Sequence, residues 1–439
     1  MRGNWANRAN QECRDSPAFR GSSRPRDSPA SNGSRASATR GSKGSRDSGT
    51  RPGQRRRARD VSRIDPPIRM RIGIDAHHIN GKPQGSRTYL LELIKALSRL
   101  SPLSSDELVV YSFRPEETAA CLKAKHLEHR RVYPDSARIR LPFVVPALAL
   151  RDRLSVLHSQ YVAPPFSFVP DVVTIHDILF ETHPDLFEGA FSERSVALIR
   201  RTARRAAIVL TVSEFSRRAL VARYQLPPEK VIVTPNGVDR EAFRPMGTEP
   251  PGIRERYRLG GPYVLAVGRI EPRKNLLRLI RAFSRARERL SGGIRLVIAG
   301  QEDFRSREVF QEAARQAEGS VTFLGAVPDP DLPALYNLAE ALTYPSLAEG
   351  FGIPVLEAMA CGTPVLASPR GALPEVGGDA VLWVEPEDEE ALASGIERIL
   401  TDSELRGRLR AAGPSRAARF DWNETAKGTL EAYRRAVSV

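Results

Sequence analysis

From residue 71 onward, short aliphatic and β-branched runs alternate with stretches whose apolar residues recur every three to four positions. That alternation predicts parallel sheets covered by helices. In the first half, strands are predicted at 71–74, 108–113, 156–158, 172–175 and 208–212, with helices at 88–99 and 193–206 between them. Ser213 is a predicted N-cap for a helix over 216–224. A strand at 231–234 then runs into the turn sequence Pro235, Asn236, Gly237. The pattern breaks over 240–261, where Pro245, Pro250, Pro251, Gly252, Gly260 and Gly261 read as a linker with one short helix. A second alternation follows, with strands at 263–267, 294–299, 321–324, 341–344, 364–367 and 381–384 and helices at 276–290, 307–317, 332–338, 354–360 and 389–400. A last helix over 422–437 is expected after an interruption at Gly413 and Pro414.

Two consecutive Rossmann-like, doubly wound α/β domains are therefore expected, at 70–240 and 241–421. Ligands of such sheets bind at the carboxyl ends of the strands, where Gly-rich turns meet helix N-termini. With two domains in tandem, the cleft between them is the natural catalytic position.

The net charge of +15 changes the picture only at the N-terminus. Residues 1–69 hold 17 Lys/Arg against 6 Asp/Glu, whereas residues 70–439 hold 50 against 46. Among Ile, Leu, Val and Phe, the first sixty positions offer only Phe19, so this stretch cannot offset the entropy of ordering and is expected to be a disordered basic extension. Its arginines suit an arm for nucleic acid or anionic lipid. The plainer reading, a solvated extension or a start codon assigned too early, is preferred because Met70 opens a natural first strand, MRIGIDA. No specific nucleic-acid partner is expected. The best apolar stretch, from Leu141 to Leu150, contains Pro142 and Pro146 and falls short of the roughly 20 residues that cross a bilayer. No signal-peptide segment opens the chain, and Cys13, Cys121 and Cys361 give neither a disulfide framework nor a metal spacing. These features suit a reducing cytoplasm. A predicted helix at 193–206 carries Arg194, Arg200, Arg201, Arg204 and Arg205, which suits peripheral contact with anionic headgroups on the inner face of the plasma membrane.

Two segments carry chemistry. In the first, Glu349, Gly350, Phe351, Gly352, Ile353 and Pro354 lead to Glu357. Pro354 sits where a helix begins, the glycines let backbone amides approach a ligand, and the helix dipole favours a phosphate there. Glu349 in the loop and Glu357 in the first turn can take separate tasks, one on sugar hydroxyls and one on ribose, and Gly362 is the expected stop. In the second, Gly268, Arg269, Arg273 and Lys274 place two or three cations at the end of the strand at 263–267, the positive charge that a diphosphate leaving group needs. Asp329 and Asp331 resemble a metal-chelating pair, but their place before the helix at 332–338 reads as an N-cap and a dipole partner. The seven histidines show no ligand spacing.

With these motifs in view, the chain from Met70 onward resembles the retaining glycosyltransferase family 4 (group 1), which has the GT-B fold and includes bacterial mannosyl- and glucosyltransferases. The matching pieces are spread widely: Asp75, Gly85, His176 with Asp177, Ser213, Asn236 with Asp239, Gly268 with Arg269, Lys274 with Asn275, Gly300, Gly325, the paired-glutamate segment, and Phe420 with Trp422. The resemblance implies that Arg269 and Lys274, beside Gly268, hold the donor diphosphate. It implies that Glu349 contacts the donor sugar near the amides of Gly350, Phe351 and Gly352, that Glu357 binds ribose, and that His176 lies at the reacting centre. The loop at Gly85 would approach the phosphates from the other domain, although Ser86 stands where the family often has a second glycine. The helix at 422–439 would cross back onto the N-terminal domain. The implied reaction moves a hexose of mannose or glucose type from a GDP- or UDP-linked donor to a saccharide or lipid-linked acceptor, with retention and without metal or other cofactor, in cell-envelope or exopolysaccharide synthesis. A nucleotide-sugar epimerase or hydrolase on the same fold, and a nucleic-acid-binding protein using the basic arm, are the competing readings.

Overall fold

A computed structural model describes residues 69–438, apart from 82–84, 105, 125, 188–191, 291, 304–305, 317–318 and the side chains of 101–104. The basic extension expected at 1–69 lies, except for Arg69, outside the described residues. The remainder holds two wholly parallel sheets. The first comprises β1 (Arg71–Asp75), β2 (Glu107–Ser112), β3 (Leu127–Arg131), β4 (Val156–Gln160), β5 (Asp171–Thr174), β6 (Ile208–Thr211) and β7 (Val231–Val233), in the order β3-β2-β1-β4-β5-β6-β7. The second comprises β8 (Tyr263–Val267), β9 (Arg295–Ala299), β10 (Val321–Gly325), β11 (Ala341–Tyr344), β12 (Val365–Ala367) and β13 (Leu382–Trp383), in the order β10-β9-β8-β11-β12-β13. Each order reverses direction beside its first strand, between β1 and β4 and between β8 and β11, and a doubly wound sheet opens its ligand crevice at such a point. Strands such as β6 and β12 are buried along their whole length and read as short apolar runs.

The helix Glu214–Tyr224 starts where its cap predicts, with Ser213 Oγ accepting from the Ser216 amide at 3.1 Å. One expectation fails in the second half. The helix Ser403–Ala417 runs straight through Gly413 and Pro414. Gly413 lies so close to the helix Ile353–Ala360 that a Cβ there would stand 2.9 Å from the Met359 carbonyl oxygen, and this packing outweighs the amide that Pro414 lacks.

The last helix, Trp422–Val437, returns across the first sheet and packs on the helix Gly85–Ser104. Its Tyr433 hydroxyl meets His158 Nδ1 at 2.6 Å, while His158 Nε2 meets Thr174 Oγ1 at 2.7 Å. Burial pushes the His158 imidazole down to about 3, so the ring is neutral and both nitrogens are satisfied. Trp422 and Tyr433 belong to the same apolar cluster as Ile72 of the first sheet and Leu265 of the second, so one continuous core ties the lobes together. The crossover depends on Gly237, whose added Cβ would fall 2.3 Å from the Trp422 amide nitrogen. Gly237→Ala is therefore expected to lower the thermal unfolding midpoint, since overpacking of this kind costs about 1–3 kcal/mol. An unchanged melting curve contradicts that close approach.

Candidate active site

The strand β8 gives way at Gly268, and a short turn, Pro272–Lys274, follows. This turn aims Lys274 inward. Its Nζ donates to Glu349 Oε1 at 2.6 Å and also to the Tyr344 hydroxyl, which in turn donates to Glu349 Oε1 at 3.0 Å. The other carboxylate oxygen faces Arg273 Nη1 at 2.7 Å, and Arg273 also holds Glu271 at 2.6 Å. Burial alone would push the Glu349 carboxyl up, but Arg273, then Lys274, pull it down to about 2. Lys274 is also pushed down, its ammonium penalised first by burial and then by Arg273.

Of the two cations expected to act together, Lys274 is buried at Glu349 and Arg269 is paired elsewhere in this structure. Arg269 is 40% exposed and pairs with Asp303, at the mouth of the second sheet rather than at Glu349. The partner of Lys274 at the carboxylate is Arg273, which the sequence displayed within the same cationic run but which no local pattern singled out.

The segment after Glu349 makes contact with the first lobe. The Gly350 carbonyl accepts from Ser213 Oγ at 2.8 Å, and a Cβ on Gly350 would stand 2.4 Å from Asp177 Oδ2. Gly352 adopts φ +100°, open to glycine without strain, and the helix Ile353–Ala360 starts after it with Pro354 as its second residue. Phe351 packs edge-on against Phe420. Glu357 falls in the second turn of this helix, not the first, because the helix begins one residue before Pro354. It accepts from the Tyr336 hydroxyl at 2.8 Å, well apart in bonding from the Glu349 group. Lost hydration pushes its carboxyl up to about 8, against the hydrogen bond from Tyr336.

On the first lobe, His176 follows β5 and Gln160 ends β4, and His176 Nε2 donates to Gln160 Oε1. Burial, then His78 and His158, hold the His176 ring down at about 3 and neutral. Tyr89 meets it edge-on, with centroids 4.7 Å apart. At the end of β1, the buried Asp75 carboxylate is shared between His77 Nδ1 at 3.0 Å and Arg140. Arg140 and Gln160 were not anticipated as wall residues. Each keeps a buried nitrogen without a partner, Arg140 Nε and Gln160 Nε2.

Gly85 opens the helix Gly85–Ser104 and is exposed, and the residues just before it, 82–84, lie outside the described residues. Two turns of charge bridge the lobes nearby. Arg87 Nη1 lies 3.5 Å from Asp329 Oδ2, and the Glu375 carboxylate accepts from the Glu214 and Phe215 amides at 2.8 and 2.7 Å. Asp331 makes no capping hydrogen bond at the helix Leu332–Leu338; it accepts instead from Arg256 at 2.8 Å and Tyr257 at 2.6 Å. Among the described residues no group of three His, Cys, Asp or Glu is placed to hold a metal ion.

Residues 83–242 match the family model described as Glycosyltransferase Family 4, and residues 253–416 match that described as Glycosyl transferases group 1. The chain is 32% identical over 291 residues to O-antigen chain mannosyltransferase B of Escherichia coli, an overlap that covers 66% of this chain and 76% of that protein. It belongs to the group 1, family 4 glycosyltransferases. Among solved structures it is similar to sucrose-phosphate synthase from Thermosynechococcus elongatus (TM-score 0.68, 23% identity, 83% of this chain and 98% of that one). It is also similar to Anabaena HepE in complex with UDP-glucose (TM-score 0.67, 20% identity, 82% of this chain and 98% of that one). These likenesses identify the two facing sheets as the GT-B fold.

In this glycosyltransferase the two motif glutamates sit at opposite ends of the proton scale, and the difference is measurable. Glu357 has a folded pKa of about 8 against an ordinary 4.5. Between those values the folded protein holds a proton that the unfolded chain has released, so stability falls as pH rises through that window and levels off above it. Glu357→Gln has no proton to lose and is expected to show a smaller decline in denaturation midpoint between roughly pH 5 and pH 8. Parallel pH curves for the two proteins refute the raised carboxyl.

Proposed function

We propose that this glycosyltransferase transfers a hexose, of mannose or glucose type, from a nucleotide-diphosphate sugar to a saccharide or lipid-linked acceptor, retaining the anomeric configuration and using no metal. The observation that carries the proposal is the buried Glu349 carboxylate held between Lys274 and Arg273, directly before the Gly350–Gly352 loop. A fully ionised carboxylate fixed at the cleft accepts hydrogen bonds from sugar hydroxyls without any change in its own protonation. Lys274 is held beside Gly268, close enough that a Cβ on that glycine would sit 3.0 Å from Lys274 Cε, so its ammonium can serve the donor phosphates and Glu349 together. Arg269, half in solvent, exchanges Asp303 for the pyrophosphate when the donor enters. The loop amides and the helix N-terminus behind them add positive potential. Ribose hydroxyls approaching Glu357 replace the Tyr336 hydrogen bond and favour its ionised form.

In this scheme the bond between the anomeric carbon and the phosphate oxygen breaks as the acceptor oxygen bonds to the same face. The acceptor proton passes to the departing phosphate. The neutral His176, its Nε2 hydrogen engaged by Gln160, faces the sugar from the other lobe without adding charge. The O-antigen mannosyltransferase favours mannose and glycan synthesis; the HepE complex supports a uridine nucleotide. GDP- and UDP-linked donors are both kept. A nucleotide-sugar donor suits a cytoplasmic reaction. Among the described residues no helix is long and apolar enough to cross a membrane.

Arg269→Ala is the cleanest variant, because this side chain is partly exposed and outside the core. It is expected to lose more than about tenfold in turnover, as preorganised donors to a leaving group commonly give about 10²–10³-fold, with its melting temperature unchanged. Glu349→Ala should lose at least as much, and should also melt earlier because Lys274 and Arg273 are left without their shared carboxylate. Screening GDP-mannose, UDP-glucose and related nucleotide sugars should find one that stabilises the wild type, by about 2.7 kcal/mol at a hundredfold excess over Kd. Product should appear only when an acceptor is added. Near-normal turnover by the Arg269 variant, or conversion of the nucleotide sugar with no acceptor present, defeats the proposal.

A further inference from the structure

The large apolar side chains that stand exposed among the described residues are Tyr133, Ile139, Phe143, Leu150, Phe166, Phe168 and Leu198, and every one belongs to the first lobe. Six of them fall between residues 133 and 168. A soluble surface carries such residues singly; here they form a pattern. The helical stretch running from Ala137 to Arg151 buries Leu141, Val145, Pro146 and Ala149 on one side. Its outer side shows Ile139, Phe143, Ala147 and Leu150, spaced by four, four and three residues, the spacing of a single helical stripe. The stretch is thus apolar on two faces, and among the described residues only one of them is covered.

A second element extends the patch. Ser167 Oγ donates to the Val169 carbonyl at 2.7 Å, closing a tight turn that leaves Phe166 at 71% and Phe168 at 68% exposure on either side of it. Arg205 braces the start of this loop through the Pro164 carbonyl and through Asp171 at 3.0 Å. Val169 packs into the same apolar cluster as Val144 and Leu148 of the helical stretch, so the phenylalanine turn and the stripe flank one cluster.

Charge selects the occupant. Arg138, Arg151 and Arg153 are exposed around the stripe, and Asp135 is the only exposed carboxylate between residues 133 and 168. Arg138 and Arg153 pair with no carboxylate among the described residues, while Asp152 is buried against Tyr111 at 2.9 Å and Arg151 at 3.0 Å. Phenylalanine and leucine projecting among arginines match the boundary between acyl chains and anionic headgroups. By contrast, the helix Glu193–Arg205 spends much of its charge inside the protein, with Arg200 on Glu181 at 2.9 Å and Arg204 on the Tyr224 carbonyl at 3.1 Å.

We propose that the face formed by Ile139, Phe143, Leu150, Phe166 and Phe168 seats the first lobe on an anionic lipid bilayer. The transferase reading gives this seat a purpose, delivery of a lipid-borne acceptor to the cleft, but the surface is argued from exposure and charge and stands apart from the donor site. The test is co-sedimentation of the full chain with vesicles of phosphatidylglycerol and phosphatidylethanolamine, and with vesicles of phosphatidylcholine alone. The wild type should bind the anionic vesicles and bind the zwitterionic ones far less. Phe143→Ser with Leu150→Ser, and separately Phe166→Ser with Phe168→Ser, should each cut the bound fraction about tenfold while keeping the melting temperature and the stabilisation by nucleotide sugar. Arg194→Glu with Arg201→Glu, on the exposed side of the helix Glu193–Arg205, should retain most binding. Wild-type protein that ignores anionic vesicles overturns the proposal. So do serine variants that bind undiminished, which would assign binding to the basic extension, and serine variants that turn a dimer into a monomer in light scattering without altering vesicle binding. Because nucleotide-sugar stabilisation is read in the same variants, failure here and failure of the donor site are told apart.

Discussion

An ionised carboxylate out of water survives only if its charge is answered nearby, and Glu349 sets that condition at the centre of this molecule. Lys274 and Arg273 answer it, Tyr344 completes the oxygen that Lys274 reaches, and Arg273 is itself balanced by Glu271. A set of this kind is costly to break by removing one member, so it fixes the turn after β8 against the loop that leads to Gly350. The end of one strand and the glycine loop become a single rigid surface, presented toward the other lobe. Preorganisation of that sort suits a transfer whose charge develops on a departing diphosphate.

The other lobe answers with groups that carry little net charge. His176 is held neutral, and the buried charges of Asp75 and Arg140 cancel each other. The asymmetry divides labour between the sheets, one presenting fixed charge and the other presenting shape and hydrogen bonds. The return of the helix Trp422–Val437, anchored by Tyr433 on His158, keeps both halves in one core despite the linker.

Much of this was legible in the sequence, for identifiable reasons. Parallel strands buried on both faces announce themselves as unbroken apolar runs, and Ser213 marked its helix because capping is local chemistry. The loop from Glu349 to Gly352 was legible because glycines, proline and carboxylate sit within a few residues of one another. The rest depended on partners or boundaries that local pattern does not display. Arg269 pairs with Asp303, which the fold rather than the sequence brings beside it. Glu357 shifted by part of a turn because the helix started before its proline. Gly413 and Pro414 remained helical because Met359 lies against them. Arg140 reaches Asp75 and Gln160 reaches His176 between elements far apart in the chain. The run from Leu141 to Leu150 is too short to span a bilayer, but length says nothing about lying on one.

The clasp of Glu375 on the Glu214 and Phe215 amides carries a mechanical consequence. Those amides are the unpaired start of a helix, and the same helix start holds the Gly350 carbonyl through Ser213. Any parting of the lobes would strip a carboxylate from its donors and free the Gly350 loop in one step, so a single latch holds two contacts.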